Sequence, residues 1–231
     1  MKTFVFDLDD TLYDMTQPFK KAFETHLSQY KLDPDELFKK SRHYSDAIFP
    51  KVMSGEMSVD ECGAYRIKRA LEDYDIYLSE EEALQFQLTY RYNQAHITLS
   101  DTIKDALSYL KGKAKLALYT NGVSEHQWKK IAGTGLEKWI AKEHLFVSDD
   151  IGYAKPNVRG YKLIEAKMDT TPEHTYFVGD SISMDMAGAK DSNWNMIFIN
   201  RRNHDLTTSK HQPDYIVYNE EELLELLKTL V

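Results

Sequence analysis

The stretch Thr3-Phe-Val-Phe-Asp7-Leu-Asp9-Asp10-Thr11-Leu12 decides the fold. Phe4, Val5 and Phe6 form a short aromatic and β-branched run that stops at acids, the pattern of a buried strand over residues 3–8. Runs of the same kind recur at 115–119, 145–147, 175–178 and 195–199, and one at 214–218 is expected at a sheet edge. Helical patterns separate them. Strands that alternate with helices predict an α/β fold, a Rossmann-like parallel sheet with helices on both faces.

Residues 15–95 read differently. They contain no convincing strand and four helical patterns, and three of the helix starts carry a capping residue with an acid three positions on: Asp33 with Glu36, Ser58 with Glu61, and Ser79 with Glu82. This block is predicted to be an all-helical subdomain inserted into the α/β unit. The catalytic core is then 1–14 and 96–231, and the insertion is 15–95. A last amphipathic helix, capped by Asn219 with Glu220, Glu221 and Glu222 in its first turn, is expected to close the chain.

Composition excludes several classes. At 231 residues and 42% hydrophobic the chain can bury a substantial core. A net charge of -8 argues against a nucleic-acid polymer as partner, since a phosphate-backbone footprint needs clustered Lys and Arg. The one concentrated basic stretch, Arg201 and Arg202 with Lys210 and His211, reads as a solvated loop. No run reaches the ~18–20 apolar residues that span a bilayer, so no membrane partner is expected. The first residues lack the features of a signal peptide. Cys62 is the only cysteine; with no internal disulfide to form, a reducing cytoplasmic setting is expected.

Ligands of parallel α/β sheets bind at the carboxyl ends of the strands, so the residues after each strand carry the functional reading. If strand geometry continues past Phe6, Asp7 and Asp9 point the same way, and two such carboxylates suit a nucleophile and a proton carrier. A polar strand-to-turn boundary would look the same. Thr120-Asn121-Gly122 before a helix opening at Ser124 offers a hydroxyl and backbone N–H groups to an anion, or is a plain turn. Lys155 in Ala154-Lys155-Pro156 is a phosphate-directed ammonium or a surface charge. Gly179-Asp180-Ser181 with Asp185 has Gly179 freeing a sharp turn and paired oxygens that suit magnesium.

The order decides between these readings: carboxylate pair, hydroxyl, lysine, carboxylate pair, each at a strand end. With these four motifs and the helical insertion after the first, the chain resembles the phosphatase branch of the haloacid dehalogenase superfamily over nearly its whole length. The resemblance implies a phosphomonoester hydrolase acting on a small phosphorylated metabolite. Asp7 is then the nucleophile, Asp9 the general acid and base, and Lys155 the neutralising cation. Thr120 and the Asn121 N–H hold phosphate oxygens. Mg2+ sits on Asp7, the Asp9 carbonyl and Asp180, with Asp185 orienting Lys155 or a bound water. The insertion resembles the family's cap domain, expected to close over the site; most of Phe19, Phe23, Tyr44, Phe49, Met53 and Met57 are read as its core. A charge count supports the cation: four carboxylates against Lys155 reach neutrality with Mg2+ and a protonated Asp9. Asp9 speaks against dehalogenation, because dehalogenases of the superfamily lack a carboxylate there. Residues 119–128 and the Asp9-Asp10-Thr-Leu-Tyr-Asp14 opening are similar to pyrimidine 5′-nucleotidase-like members, which implies a nucleoside monophosphate. A phosphosugar mutase and a phospho-accepting signalling domain are the rival readings; the first needs a second phosphoryl-returning group, and the second places its aspartate after a middle strand. Oligomeric state is not legible.

Overall fold

A computed structural model describes residues 1–231 of the chain. Met1–Asp14 and Thr98–Val231 form one compact unit, and Met15–Ile97 forms another. Strand β1 (Thr3–Phe6) is followed by the helices of the second unit, α1 (Thr16–His26), α2 (Pro34–Met53), α3 (Val59–Glu72) and α4 (Glu80–Ala95). The first unit resumes with α5 (Asp101–Leu110), β2 (Lys115–Thr120), α6 (Ser124–Thr134), β3 (Leu145–Val147), the short α7 (Ser148–Ile151) and α8 (Val158–Met168). It ends with β4 (Thr175–Gly179), a π-helical turn over Ile182–Met186, α9 (Ala187–Asp191), β5 (Asn195–Ile199), β6 (Tyr215–Val217) and α10 (Glu220–Leu230). No helix is long and apolar enough to cross a membrane.

The six strands form one sheet in the order β3-β2-β1-β4-β5-β6, every neighbouring pair parallel, with helices on both faces. Each parallel step needs a crossover. The first is the longest, since the whole helical insertion lies between β1 and β2. Strand β1 is therefore central, with β2 on one side and β4 on the other, and the strand order reverses direction there. That reversal makes the cleft beyond its carboxyl end the binding position of the fold. The register aligns the ends: Phe6 pairs with Leu118 on one side and Val178 on the other. Each of those positions is followed within two residues by a motif residue.

The core explains why the central strands read as continuous apolar runs. Val5, Ala117, Phe177 and Met196 are fully buried in register with one another and share a cluster with Tyr161, Ile164 and Trp194. Phe4 belongs to the same buried strand and stacks on Tyr176 with ring centroids 5.0 Å apart. Strand β6 lies at one edge of the sheet, as expected for residues 214–218, and is partly exposed; β3 lies at the other edge.

In the helical unit Ser58 and Ser79 form complete capping boxes with Glu61 and Glu82. Asp33 caps α2 by accepting from the Asp35 N–H at 2.9 Å. The core centres on Phe19, whose ring meets Phe38, Phe86 and Tyr90 edge-on at 5.3, 5.2 and 5.7 Å. The expected core of this unit needs correction. Of the six residues assigned to it, only Phe19 and Phe23 are buried; Tyr44, Phe49 and Met57 are half-buried and Met53 is exposed. Tyr44 is drawn outward by its hydroxyl, which donates to Asp73 at 2.8 Å. Cys62 is buried and packs 3.9 Å from the Ser45 hydroxyl.

Because Phe19 touches three other rings, Phe19→Ala is expected to destabilise the helical unit by about 3–5 kcal/mol, while Ser79→Ala costs about 1 kcal/mol. Urea denaturation followed by far-UV circular dichroism ranks the two, and a Phe19→Ala protein as stable as the wild type would displace Phe19 from the centre of this core.

Candidate active site

Asp7 is the first residue beyond β1, and its N–H still donates to the Val178 carbonyl at 2.9 Å, so the β4 pairing fixes its backbone. Its carboxylate lies 2.6 Å from the Lys155 ammonium. The same ammonium lies 2.7 Å from Asp185 Oδ1, and all three side chains are buried. Asp185 does a second job: its Oδ2 accepts the N–H groups of Asp180 and Ser181 at 3.1 and 3.0 Å, tying down the turn that follows β4.

That contact revises the role expected of Gly179. Gly179 is not among the residues with positive φ. A Cβ there would sit 2.4 Å from Asp185 Oδ2. The glycine is required for room beside Asp185, not for a sharp turn. Carboxylate oxygens of Asp7, Asp180 and Asp185 all lie within 4.8 Å of one another. Thr11 Oγ1 donates to Asp180 Oδ1 at 3.4 Å.

Two side chains join the loops after β2 and β3. Asn121 donates from Nδ2 to the Lys155 carbonyl at 2.9 Å and accepts the Lys155 N–H on Oδ1 at 2.8 Å, fixing the segment that carries the lysine. The Gly122 N–H donates to Ser148 Oγ at 3.1 Å. Thr120 Oγ1, buried at the end of β2, accepts from Gln127 Nε2 at 2.6 Å.

Asp9 has different partners. Lys130 Nζ lies 2.7 Å from both of its oxygens, Gln127 Nε2 is 3.2 Å from Oδ2, and the Tyr13 hydroxyl donates to Oδ1. Strand β1 ends at Phe6, two residues short of the expected boundary, and Asp9 and Tyr13 form an isolated bridge. Asp9 thus turns to α6 while Asp7 turns to Lys155.

The two carboxyls differ electrostatically. Burial, reinforced by Asp185 and Asp9 and opposed by Lys155, pushes the Asp7 carboxyl up to about 7. Burial also works on Asp9, but the Lys130 ammonium and the hydrogen bonds from Lys130, Tyr13 and Gln127 outweigh it and hold that carboxyl well below the usual range. Burial alone would lower Lys155; Asp185 and Asp7 keep it protonated, above the ordinary lysine value. The charge count therefore changes. Without a metal the proton belongs to Asp7, not Asp9. Lys130 supplies a second buried cation, so the four carboxylates and two ammoniums leave two negative charges, which one divalent cation balances with Asp9 ionised.

The structure thus gathers Asp7, Lys155, Asp180 and Asp185 in one cluster, links Asn121 to Lys155, and links Asp9 to Thr120 through Gln127. Sequence reasoning missed Lys130 and Gln127. The available signal was helical spacing: Gln127, Lys130, Ile131 and Thr134 form the buried face of α6, so polar residues occupy apolar positions. Arg201 and Arg202 correct another expectation. They are not a solvated loop. Arg201 donates to the carbonyls of Asp10 and Thr11 at 3.1 and 3.0 Å and pairs with Glu220 at 2.9 Å; Arg202 pairs with Asp10 at 2.6 Å and with Asp14. They hold the loop after Asp9, where Asp10 adopts φ 58°.

Residues 1–193 match the family model described as haloacid dehalogenase-like hydrolase. The HAD-hydrolase YfnB of Bacillus subtilis, itself described as putative, is 26% identical over 191 residues, 82% of this chain and 80% of that protein. Its magnesium-bound crystal structure covers 98% of both chains with a TM-score of 0.72 and 24% identity. A glyceraldehyde 3-phosphate phosphatase of Methanothermobacter thermautotrophicus is 25% identical, over 87% of this chain and 86% of that one. The pyrimidine 5′-nucleotidase PynA of Streptococcus pneumoniae is 26% identical, over 98% and 94%.

The Asp7 shift carries a stability prediction. The folded chain holds the Asp7 proton up to about pH 7, whereas an unperturbed carboxyl loses it near 3.8. The folded state binds more protons within that window, so stability falls as pH rises through it. In metal-free buffer the wild-type Tm is expected to drop relative to that of Asp7→Asn between about pH 5 and pH 8; a difference that does not change with pH would contradict the shift.

Proposed function

The chain belongs to the haloacid dehalogenase-like hydrolase family, and we propose that it is a magnesium-dependent phosphomonoester hydrolase working through a phosphoaspartate. The carrying observation is the pair of carboxylates at one strand end with separate partners, Asp7 on Lys155 and Asp9 on Lys130. Dehalogenation would not use the second: a halide leaves without a proton, whereas an alkoxide needs a donor.

The Asp9 carboxylate, ionised in the free chain, takes up the proton of the bound monoester monoanion. The Asp7 carboxylate attacks phosphorus in line, and the bond to the ester oxygen breaks as Asp9 passes that proton to it. Asp9, now ionised, takes a proton from water, whose oxygen attacks phosphorus and displaces Asp7. Inorganic phosphate leaves with the proton held by Asp9, and both carboxylates are restored. Lys155 offsets charge on the nucleophile and on the transferring group, and Asp185 holds Lys155 in place. Thr120 has its oxygen satisfied by Gln127, which leaves its own proton to donate to a phosphate oxygen, alongside the Asn121 N–H. Positioning and charge stabilisation of this kind are what phosphoryl transfer requires.

The donor set fits magnesium: hard carboxylate oxygens within 4.8 Å, an excess of negative charge, and a carboxyl driven to about 7 by burial among them. Asp7, Asp180 and the Asp9 carbonyl would hold the ion, with Asp185 occupied by Lys155 and the β4 turn. Bound there, it would supply positive charge that offsets the charge of the transferring phosphoryl group. The magnesium-bound relative supports the choice.

The substrate is a small phosphorylated metabolite, and Met15–Ile97 is read as the cap that selects it. A nucleoside 5′-monophosphate is the class to test first, on the similarity of residues 119–128 and the span of the match to the pyrimidine 5′-nucleotidase. The buried single cysteine fits a cytoplasmic setting.

Phosphate release from nucleoside monophosphates, triose phosphates and hexose phosphates is expected to require Mg2+ and to vanish in Asp7→Asn. Asp9→Asn should lower turnover of alkyl esters roughly 100-fold or more. Release that survives in Asp7→Asn would refute the nucleophile.

A further inference from the structure

We propose that Lys130 is the positioning residue for Asp9, and that the contact from Gln127 marks the lone pair on Asp9 that the reacting oxygen uses. The inference rests on the phosphatase reading above and adds to it residues outside the four motifs.

A carboxylate offers about four lone-pair sites. All four on Asp9 are engaged: Oδ1 by Lys130 and Tyr13, Oδ2 by Lys130 and Gln127. A group that must exchange protons with a leaving alcohol and then with water has to open one of them. The distances indicate which. Gln127 Nε2 carries two hydrogens but faces three acceptors, Thr120 Oγ1 at 2.6 Å, the Asn121 carbonyl at 2.8 Å and Asp9 Oδ2 at 3.2 Å. The Asp9 contact is the longest, and two hydrogens are already matched without it. It can be given up while Gln127 stays anchored.

Lys130 is the opposite case. Its ammonium is 2.7 Å from each Asp9 oxygen, its side chain is buried, and Asp9 is the only carboxylate it pairs with. Two equal contacts hold the carboxylate end-on against the ammonium, and the Tyr13 hydroxyl, off that axis on Oδ1, sets its rotation about the Cβ–Cγ bond. Lys130 and Gln127 lie three residues apart on α6 and so share a face. With Lys130 as pivot, the releasable site on Oδ2 stays beside Gln127 and Thr120, next to the hydroxyl proposed to bind phosphate. Three residues, the first of them Asn121, separate Thr120, the last residue of β2, from helix α6, so one segment sets the phosphate position and the proton carrier together.

The test separates the two half-reactions with 4-nitrophenyl phosphate. Its phenolate leaves without a donated proton, so formation of phospho-Asp7 does not need Asp9, whereas hydrolysis of phospho-Asp7 does. In Lys130→Met with Mg2+, stopped-flow should show a burst of about one nitrophenolate per site, then a steady rate roughly 10- to 100-fold below wild type, with phosphoenzyme trapped by acid quench. Lys130→Arg, which can still engage both oxygens, should recover most of the steady rate. A steady rate within twofold of wild type in Lys130→Met overturns the inference. So does a parallel loss of burst and steady rate in a variant with wild-type circular dichroism, since that indicates general disruption of the site. Asp9→Asn, run alongside, tells the two levels apart. If it leaves hydrolysis intact, the acid–base reading of Asp9 fails and this inference with it; if it is impaired while Lys130→Met is not, only the role of Lys130 fails.

Discussion

The site depends on one buried ammonium. Lys155 lies within 2.7 Å of both Asp7 and Asp185, and these three side chains come from three separate segments: the end of β1, the loop before α8 and the turn after β4. A charge shut away from water is tolerated only with partners in close contact. Here the partners are carboxylates that would repel each other without the lysine. Each group therefore needs the other two. Such a triad adds little net stability, because desolvation consumes much of the Coulomb gain, but removing one member leaves a buried charge uncompensated. Its consequence is register: it fixes how these three segments meet. Asp185 extends the constraint by holding two N–H groups of the β4 turn, and Asn121 extends it by gripping both backbone groups of Lys155.

The sequence carries most of this arrangement, for a physical reason. Strand ends of a parallel sheet converge on one edge, so motifs far apart in the chain can be combined once the strands are placed. Phe4 to Phe6 and the later apolar runs place them, because strands buried on both faces leave an unbroken apolar signal. Local capping is equally readable, since Ser58 with Glu61 and Ser79 with Glu82 need only three residues of context.

What escaped was long-range or disguised. Lys130 follows Lys129, and the pair reads as surface charge. Lys129 is indeed exposed and pairs with Glu125, while its neighbour is buried against Asp9, 121 residues away. Arg201 and Arg202 look solvated for the same reason: their partners, from Asp10 to Asp14 and at Glu220, are brought near only by the finished sheet. In the helical unit, aromatic identity was a poor guide to burial. Phe19 and Phe23 are core, but Tyr44 reaches Asp73, and much of the packing falls to Phe38, Phe86 and Tyr90.

The two lysines also explain how two carboxylates two residues apart could serve different ends. Geometry alone would make Asp7 and Asp9 alike, both acids at one strand end. Their environments separate them. Asp7 shares its ammonium with a second carboxylate in a buried cluster, and burial raises it to about 7. Asp9 has an ammonium to itself with two further hydrogen bonds, and is held low. The asymmetry leaves one carboxyl whose charge awaits a cation and one carboxylate already charged and oriented, a difference that the proposed mechanism uses. It originates in α6, a helix that gives up apolar contacts on its buried face to present Gln127 and Lys130. That choice weakens the packing of one helix, and its return is an acid pair whose members do not compete for the same proton.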